Sequence, residues 1–318
     1  MGFTGTSRRI TREIGTHLTG YHYPSAPRPA VDSSWPRITI VTPSLNQASF
    51  LERTIISIHN QDYPNLEHIV IDGGSDDGSV DIIRRYEGVL SYWHSEPDRG
   101  QWDAINKGAA KATGSYMTWI NSDDILLPGA LKAVGSFLRE NPDTDLVYGN
   151  MVEIDSDDSV TKRIYTVDFD IRDFLFEINI IFNQPSTFWS TELFTHIGGV
   201  KEIPYTMDFD LFYRMYTAGA KYHRLERFLS GFRIHPASFT GSGQVRRHRG
   251  AAVDDIFKEH FGRERGFLDK TVMKAYYRAR RFVIEPRAFF AAIEHRTGQV
   301  LRMLGGFTTE ARRTRRKD

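Results

Sequence analysis

The sequence predicts an α/β fold: a doubly wound, mostly parallel sheet of Rossmann-like form with a C-terminal helical extension. Three observations predict it. Short β-branched runs alternate with helical patterns over residues 38–150, the order that builds a parallel sheet with helices on both faces. Glycine-rich or acidic turns stand at the carboxyl ends of those runs, where open α/β sheets bind ligands. Residues 251–304 carry apolar stripes at helical spacing, including Phe282, Phe289 and Ile293, broken at Pro286.

Residues 1–36 are interrupted by Pro24, Pro27, Pro29 and Pro36 and read as an extension. Residues 38–42 are β-branched throughout and stop at Pro43, as a buried strand would. Ser49 and Glu52 fit a capping box, and Leu51, Ile55 and Ile58 then predict a helix ended by Pro64. The pattern repeats with a strand at 68–71, a turn at 72–78 and a helix at 79–86. A third strand is expected at 90–94, a helix at 101–113 closed by a left-handed Gly114, and a fourth strand at 116–120. Past the turn Asn121-Ser122-Asp123-Asp124, a helix follows Pro128 to about Glu140 and a strand covers 145–148. Residues 151–154 and 163–167 suggest an antiparallel pair around the acids at 155–158, and 208–218 a helix. The expected organisation is an extension over 1–36, a main domain over 37–240 with halves meeting at residue 150, and a lid and basic helical region over 241–318.

Composition narrows the class. The chain of 318 residues is 40% hydrophobic and 25% charged, as in ordinary globular proteins. It holds no cysteine, which excludes disulfides, thiolate zinc sites and cysteine nucleophiles. No apolar run suits a signal peptide or a membrane span, so the cytoplasm is the expected compartment. The net charge of +1 is uneven, because residues 271–318 hold twelve Lys or Arg against four acids, or +8, leaving −7 for the rest. Such a basic end suits peripheral contact with anionic lipid, or a solvated terminus. No nucleic-acid module is present, so no nucleic acid is expected.

The chemistry concentrates in the turns. Adjacent carboxylates at Asp123 and Asp124, following an apolar strand, repel unless a cation offsets them, and Mg²⁺ or Mn²⁺ is the natural candidate; an N-cap is the plain alternative. The turn from Asp72 to Gly78 lacks the ligand spacing of an EF-hand. Asn183 to Trp189 mix amide, hydroxyl and aromatic groups suited either to contact with a polar ligand or to the core, and Trp102, Trp119 and Trp189 read first as packing residues.

Four segments occur in order: Thr42-Pro43-Ser44-Leu45-Asn46, Asp72-Gly73-Gly74-Ser75, Ser95 to Gly108, and Asn121 to Asp124. Together they resemble the family 2 glycosyltransferases of the GT-A fold, nearest to the branch that builds bacterial polysaccharides, over roughly residues 37–240. That resemblance implies a nucleotide-sugar donor, with UDP as the default, and a saccharide or lipid-linked acceptor. It implies that Thr42, Pro43, Ser44, Asn46 and Asp72 hold the base, and that Asp98, Arg99, Asp103, Asn106 and Lys107 line the nucleotide and diphosphate. Gly73 stands where many members carry a second acid. Asp123 would meet the ribose and Asp124 the metal, Mn²⁺ or Mg²⁺. Asp208 matches the catalytic base of an inverting transfer, though Met207 replaces the usual Glu, and its helix N-terminus would keep it ionised. Asp210 would orient that base or face the sugar. Arg233 would reach the diphosphate and His235 the metal, with Gly241, Ser242 and Gly243 in a lid. The Gln-x-x-Arg-Trp signature of processive members is absent, which implies addition of single sugars. A sugar-nucleotide pyrophosphorylase lacks support because its Gly-rich basic loop is missing; a catalytically silent carbohydrate-binding protein is the other alternative.

Overall fold

The structure, a computed structural model, describes residues 31–176, 182–203, 205–238, 240–241 and 244–284. Its strands are β1 (Ile38–Ser44), β2 (Leu66–Asp72), β3 (Tyr92–Ser95), β4 (Tyr116–Trp119), β5 (Ile125–Leu126), β6 (Leu146–Ile154), β7 (Val160–Ile164), β8 (Thr187–Ser190) and β9 (Tyr222–Arg233). Its helices are α1 (Leu51–His59), α2 (Ser79–Tyr86), α3 (Gln101–Ala109), α4 (Ala130–Glu140), α5 (Ile171–Leu175), α6 (Thr191–His196), α7 (Met207–Thr217), α8 (Gln244–Phe261) and α9 (Lys274–Ile284).

One sheet runs in the order β3-β2-β1-β4-β8-β6-β9-β5, with β7 paired to β6. β1 is parallel to β2 and β4, β2 to β3, and β6 to β9, while β8 runs antiparallel to both of its neighbours and β5 antiparallel to β9. All seven residues of β1 are buried, as a strand covered on both faces requires. Ile38 and Ile40 pack with Ile58, Leu131, Val134 and Leu229 on one face, and Val41 packs with Ile105, Trp119, Trp189, Leu211 and Phe257 on the other.

Several elements differ from expectation. α1 has no side-chain cap; Ser49 gives only its carbonyl, to Arg53. α3 ends at Ala109, and Gly114 lies outside the left-handed region. Gly114 is needed for another reason: a Cβ there would stand 2.6 Å from Thr39 Oγ1 and 2.7 Å from Arg37 O, because the chain crosses against β1. β6 is one strand across residue 150, where the two halves were expected to meet. β7 lies at 160–164, three residues earlier than the apolar pattern suggested. Trp119 and Trp189 sit in the core with ring centroids 5.3 Å apart. Phe289, Ile293, Ser242, Gly243 and the terminal basic run lie outside the described residues.

Candidate active site at the acidic turn

Three turns meet at the carboxyl edge of the parallel strands, where register sets Ser44 beside Asp72 and Asp72 beside Ser95. The fully buried Asp72 carboxylate accepts from Gly74 N–H (3.1 Å), Ser75 N–H (2.9 Å), Ser75 Oγ (2.6 Å) and Ser95 Oγ (2.7 Å). Four donors saturate it, so it shapes the turn. That turn is tied to the β1–α1 loop: Asn46, left-handed at φ 53°, donates its N–H to Ser75 Oγ, and its side-chain oxygen accepts from Asp76 N–H. Thr42 and Pro43 are buried in β1, with Thr42 Oγ1 3.0 Å from His68 Nε2. The buried Ser44 hydroxyl has no hydrogen-bond partner among the described residues.

Asp98 crosses from the third turn, its Oδ1 accepting Gly100 N–H at 2.8 Å. A Cβ on Gly73 would stand 2.9 Å from Asp98 Oδ2, so the space for a second acid at position 73 is already filled by a carboxylate. Asp103, buried in the first turn of α3, pairs with Arg99 at 2.6 Å and Lys107 at 3.1 Å, and Arg99 first of all holds its carboxyl well below the usual carboxylate range. Arg99 is itself exposed and stacks 4.5 Å over Trp102. Asn106 turns away from these groups: its side chain donates to Val200 O and accepts from Val200 N–H.

The acidic turn is braced from two sides. On α1, Thr54 Oγ1 donates to Ser122 O (2.9 Å) and Asp124 O (2.7 Å). β5, leaving the turn, pairs Ile125 with Gly231 of β9, which delivers residues 233–235 to the same place. Arg233 N–H then donates to Asp124 Oδ1 (2.9 Å) and Asn121 Nδ2 to Asp124 Oδ2 (3.0 Å). Asp124 is fully buried, and burial together with the neighbouring Asp123 charge raises its carboxyl well above the usual range. Asp123 is partly open, its carboxylate 3.1 Å from His235 Nε2. The His235 ring leans on Phe50 at 4.7 Å, and a Cβ on Gly241 would collide with the His235 carbonyl.

The Arg233 guanidinium is buried behind the turn. It donates to Asp123 O and Asp155 O, both at 2.7 Å, pairs with Asp158 at 2.5 Å, and lies 4.9 Å over Phe50. Arg53 reaches the same Asp158 at 2.9 Å. Phe50, Arg53, Thr54, Asp155 and Asp158 therefore belong to the site, and so does Gln101, which donates to Asn121 Oδ1 at 2.6 Å. The pattern of Asp155 to Asp158 between two strands was visible in the sequence; its destination was not.

Asp208 stands in the first turn of α7, accepting Phe209 N–H at 3.0 Å. Burial pushes its carboxyl up to about 6, outweighing the backbone N–H it accepts and the Arg249 charge, whereas the helix N-terminus was expected to keep it low. Asp210 pairs with Arg214, which also donates to Ile197 O and Gly199 O and so fastens α7 to the loop that Asn106 holds from α3. Gln184 and Thr187 are spent on backbone carbonyls around β8 and the core.

Among the described residues no three His, Asp or Glu side chains come close enough to hold a metal unaided. Asp123 and His235 offer a carboxylate oxygen and an imidazole nitrogen at one point. That fits an ion which takes one or two side chains and completes its shell with phosphate oxygens and water.

Residues 39–198 match the family described as Glycosyl transferase family 2. A Mycobacterium tuberculosis protein named as a glycosyltransferase is 34% identical over 182 residues, 56% of this chain and 66% of that one. A Mycobacterium bovis protein named as a PGL/p-HBAD biosynthesis glycosyltransferase is 32% identical over 167 residues, 51% of this chain and 62% of that one. The chain thus spans just under two thirds of these curated relatives. Among solved structures, a mannosyltransferase from Pyrobaculum calidifontis in complex with GDP-Man and Mn²⁺ aligns with TM-score 0.56 and 18% identity over 90% of this chain and 83% of that one. Staphylococcus aureus TarS 1–349 in complex with UDP-GlcNAc aligns with TM-score 0.54 and 17% identity over 73% and 74%. With its mostly parallel sheet and its turns gathered at one edge, the chain has the GT-A fold and belongs to glycosyl transferase family 2.

Proposed function

We propose that this protein is an inverting, metal-dependent glycosyltransferase that moves one sugar from a nucleotide-diphosphate sugar to a hydroxyl of a saccharide or lipid-linked acceptor. The observation that carries the reading is the pairing of a partly open Asp123 with His235 beside a sealed Asp124. In this reading Asp123 and His235 hold Mn²⁺ or Mg²⁺, and Asp124 fixes the turn through Arg233 N–H and Asn121. The metal supplies positive charge to offset the departing diphosphate. Asp208, with its carboxyl near 6, is ionised at neutral pH yet basic enough to take the acceptor's hydroxyl proton. Ser44 and the turns shaped by Asp72, Asn46 and Asp98 form the side facing the base, and Lys107 and Arg99 supply cations near the diphosphate. The donor sugars of the two aligned structures support a nucleotide sugar as the donor class, with UDP as the first to test.

Titration calorimetry with a panel of UDP- and GDP-sugars, with and without Mn²⁺, tests the binding half. Transfer from a radiolabelled donor tests the catalytic half. Donor affinity that ignores Mn²⁺ and survives Asp123→Asn would remove the metal assignment; full transfer by Asp208→Asn would remove the base.

A further inference from the structure

Large apolar side chains left exposed among the described residues are concentrated in one place: seven of ten lie between Phe261 and Val283. Phe267 is 78%, Leu268 67%, Val272 55%, Tyr276 58% and Val283 78% exposed. Leu268, Val272, Tyr276 and Val283 follow spacings of four, four and seven residues, which set them along one side of a helical segment. The other side is fastened to the protein. Met273 and Tyr277 pack against the core, Tyr277 stacks on Phe176 at 5.1 Å, and Arg280 pairs with Asp170 at 3.2 Å. Before α9, Arg263 pairs with Asp269, and Arg265 and Lys270 both reach Asp254. An apolar face is thus held outward by a seated segment.

Charge decides what covers it. Residues 267–284 hold Lys270, Lys274, Arg278, Arg280 and Arg281 against Asp269, a net +4 by sequence, with Lys270 and Arg280 paired to Asp254 and Asp170. Residues 285–318 hold eight Lys or Arg against four acids, again +4, so neither the chain's own end nor a second copy of the segment brings opposite charge. An anionic lipid surface does, and it also accepts apolar side chains. No described helix is long and apolar enough to cross a membrane, so contact is in the plane.

We propose that the outward face from Phe267 to Val283 docks on an anionic membrane surface, with Leu268, Val272, Tyr276 and Val283 entering the headgroup–acyl boundary. That docking would bring the site to a lipid-linked acceptor; this consequence rests on the transferase reading, whereas the docking does not.

The chain has no cysteine, so Val272→Cys in the full-length protein takes a polarity-sensitive fluorophore at one point. Vesicles of phosphatidylglycerol and phosphatidylcholine should shift its emission to the blue, and pure phosphatidylcholine vesicles should not. Raising salt should weaken binding, since screening shortens the reach of the basic side chains. In co-sedimentation, Leu268→Glu with Val283→Glu should weaken anionic-vesicle binding about tenfold or more, with thermal unfolding unchanged because both sites are exposed. Should that variant unfold, the fluorophore and salt readings still decide. No shift with anionic vesicles, or binding untouched by the glutamates, overturns the proposal. So does emission already blue without lipid, which protein dilution assigns to a second copy if it reverses and to the chain's own end if it persists.

Discussion

Asp158, at the tip between β6 and β7, is the counter-ion of Arg233, whose guanidinium is buried behind the acidic turn. Arg233 also holds Asp123 O, and its N–H holds Asp124. Asp158 is therefore joined to both acids of the turn through one residue, whose side chain holds the Asp123 carbonyl and whose backbone N–H holds the Asp124 carboxylate. Removing one partner of a buried pair strands the other, at about 3–5 kcal/mol; Arg53, which also meets Asp158, loses its anchor too. Asp158→Ala should lower unfolding free energy in urea by about 3 kcal/mol and weaken Mn²⁺-dependent donor binding. An Asp158→Asn, Arg233→Met double variant, which keeps at 158 a residue that tolerates its left-handed backbone, should recover part of the stability but not the donor affinity, because the brace on Asp123 O stays lost.

Gly73 and Asp98 share one space, since a Cβ at 73 would approach Asp98 Oδ2 to 2.9 Å. Gly73→Asp adds a clash and a like charge, each typically worth about 1 kcal/mol or more. It should weaken donor binding about tenfold in calorimetry. With Asp98→Gly added, the second carboxylate has room, and affinity should return toward the parent value. Recovery absent from the double variant would mean that Asp98 acts through Gly100 N–H and not through the space beside Gly73.

The two acids of the turn should respond differently. Asp123→Asn leaves the backbone brace intact and should change stability by less than about 1 kcal/mol while abolishing the Mn²⁺ dependence of donor binding. Asp124→Ala strands the Arg233 N–H and Asn121 donors, costing about 1–3 kcal/mol each if unsatisfied. Asp124→Asn keeps one acceptor and should fall between them. Loss of Mn²⁺ dependence in Asp124→Asn with retention in Asp123→Asn would return the metal to Asp124.

The strands and helices before residue 150 were legible because each carries its own signal: β-branched runs that need burial on both faces, and apolar residues at helical spacing. The acidic turn was legible as a strand end. What lay beyond local pattern was register. Ile125 opposite Gly231 is a pairing across more than a hundred residues, and together with the β6–β9 register that sets Ile154 beside Arg233 it brings His235 to Asp123 while Arg233 goes behind. Asp72 and Asn106 matched family positions and are near the edge of the site, yet their side chains are used up in holding loops. Residue type and spacing do not say whether a carboxylate faces a ligand or four of the protein's own donors.

If Asp208 is the base, as proposed, stability and activity oppose each other there. Its carboxyl is raised from 3.8 to about 6 by burial, so the folded protein binds a proton there more tightly than the unfolded chain does. The sign follows: its contribution to stability is fully present below about pH 4 and is lost as pH rises through 6. Above that, the ionised carboxylate in its partly buried place is held at a cost on the order of a few kcal/mol. Asp208→Asn removes the charge and should raise the midpoint of thermal unfolding at pH 7.5 while leaving it nearly unchanged at pH 4. The same substitution should reduce transfer by about a hundredfold or more, the usual contribution of a general base. In the parent protein, single-turnover transfer should fall about tenfold for each pH unit below 6. A pH-independent stability gain with unchanged transfer would make Asp208 an ordinary first-turn residue of α7, and the proton acceptor would have to be sought elsewhere on the acceptor side of the sheet.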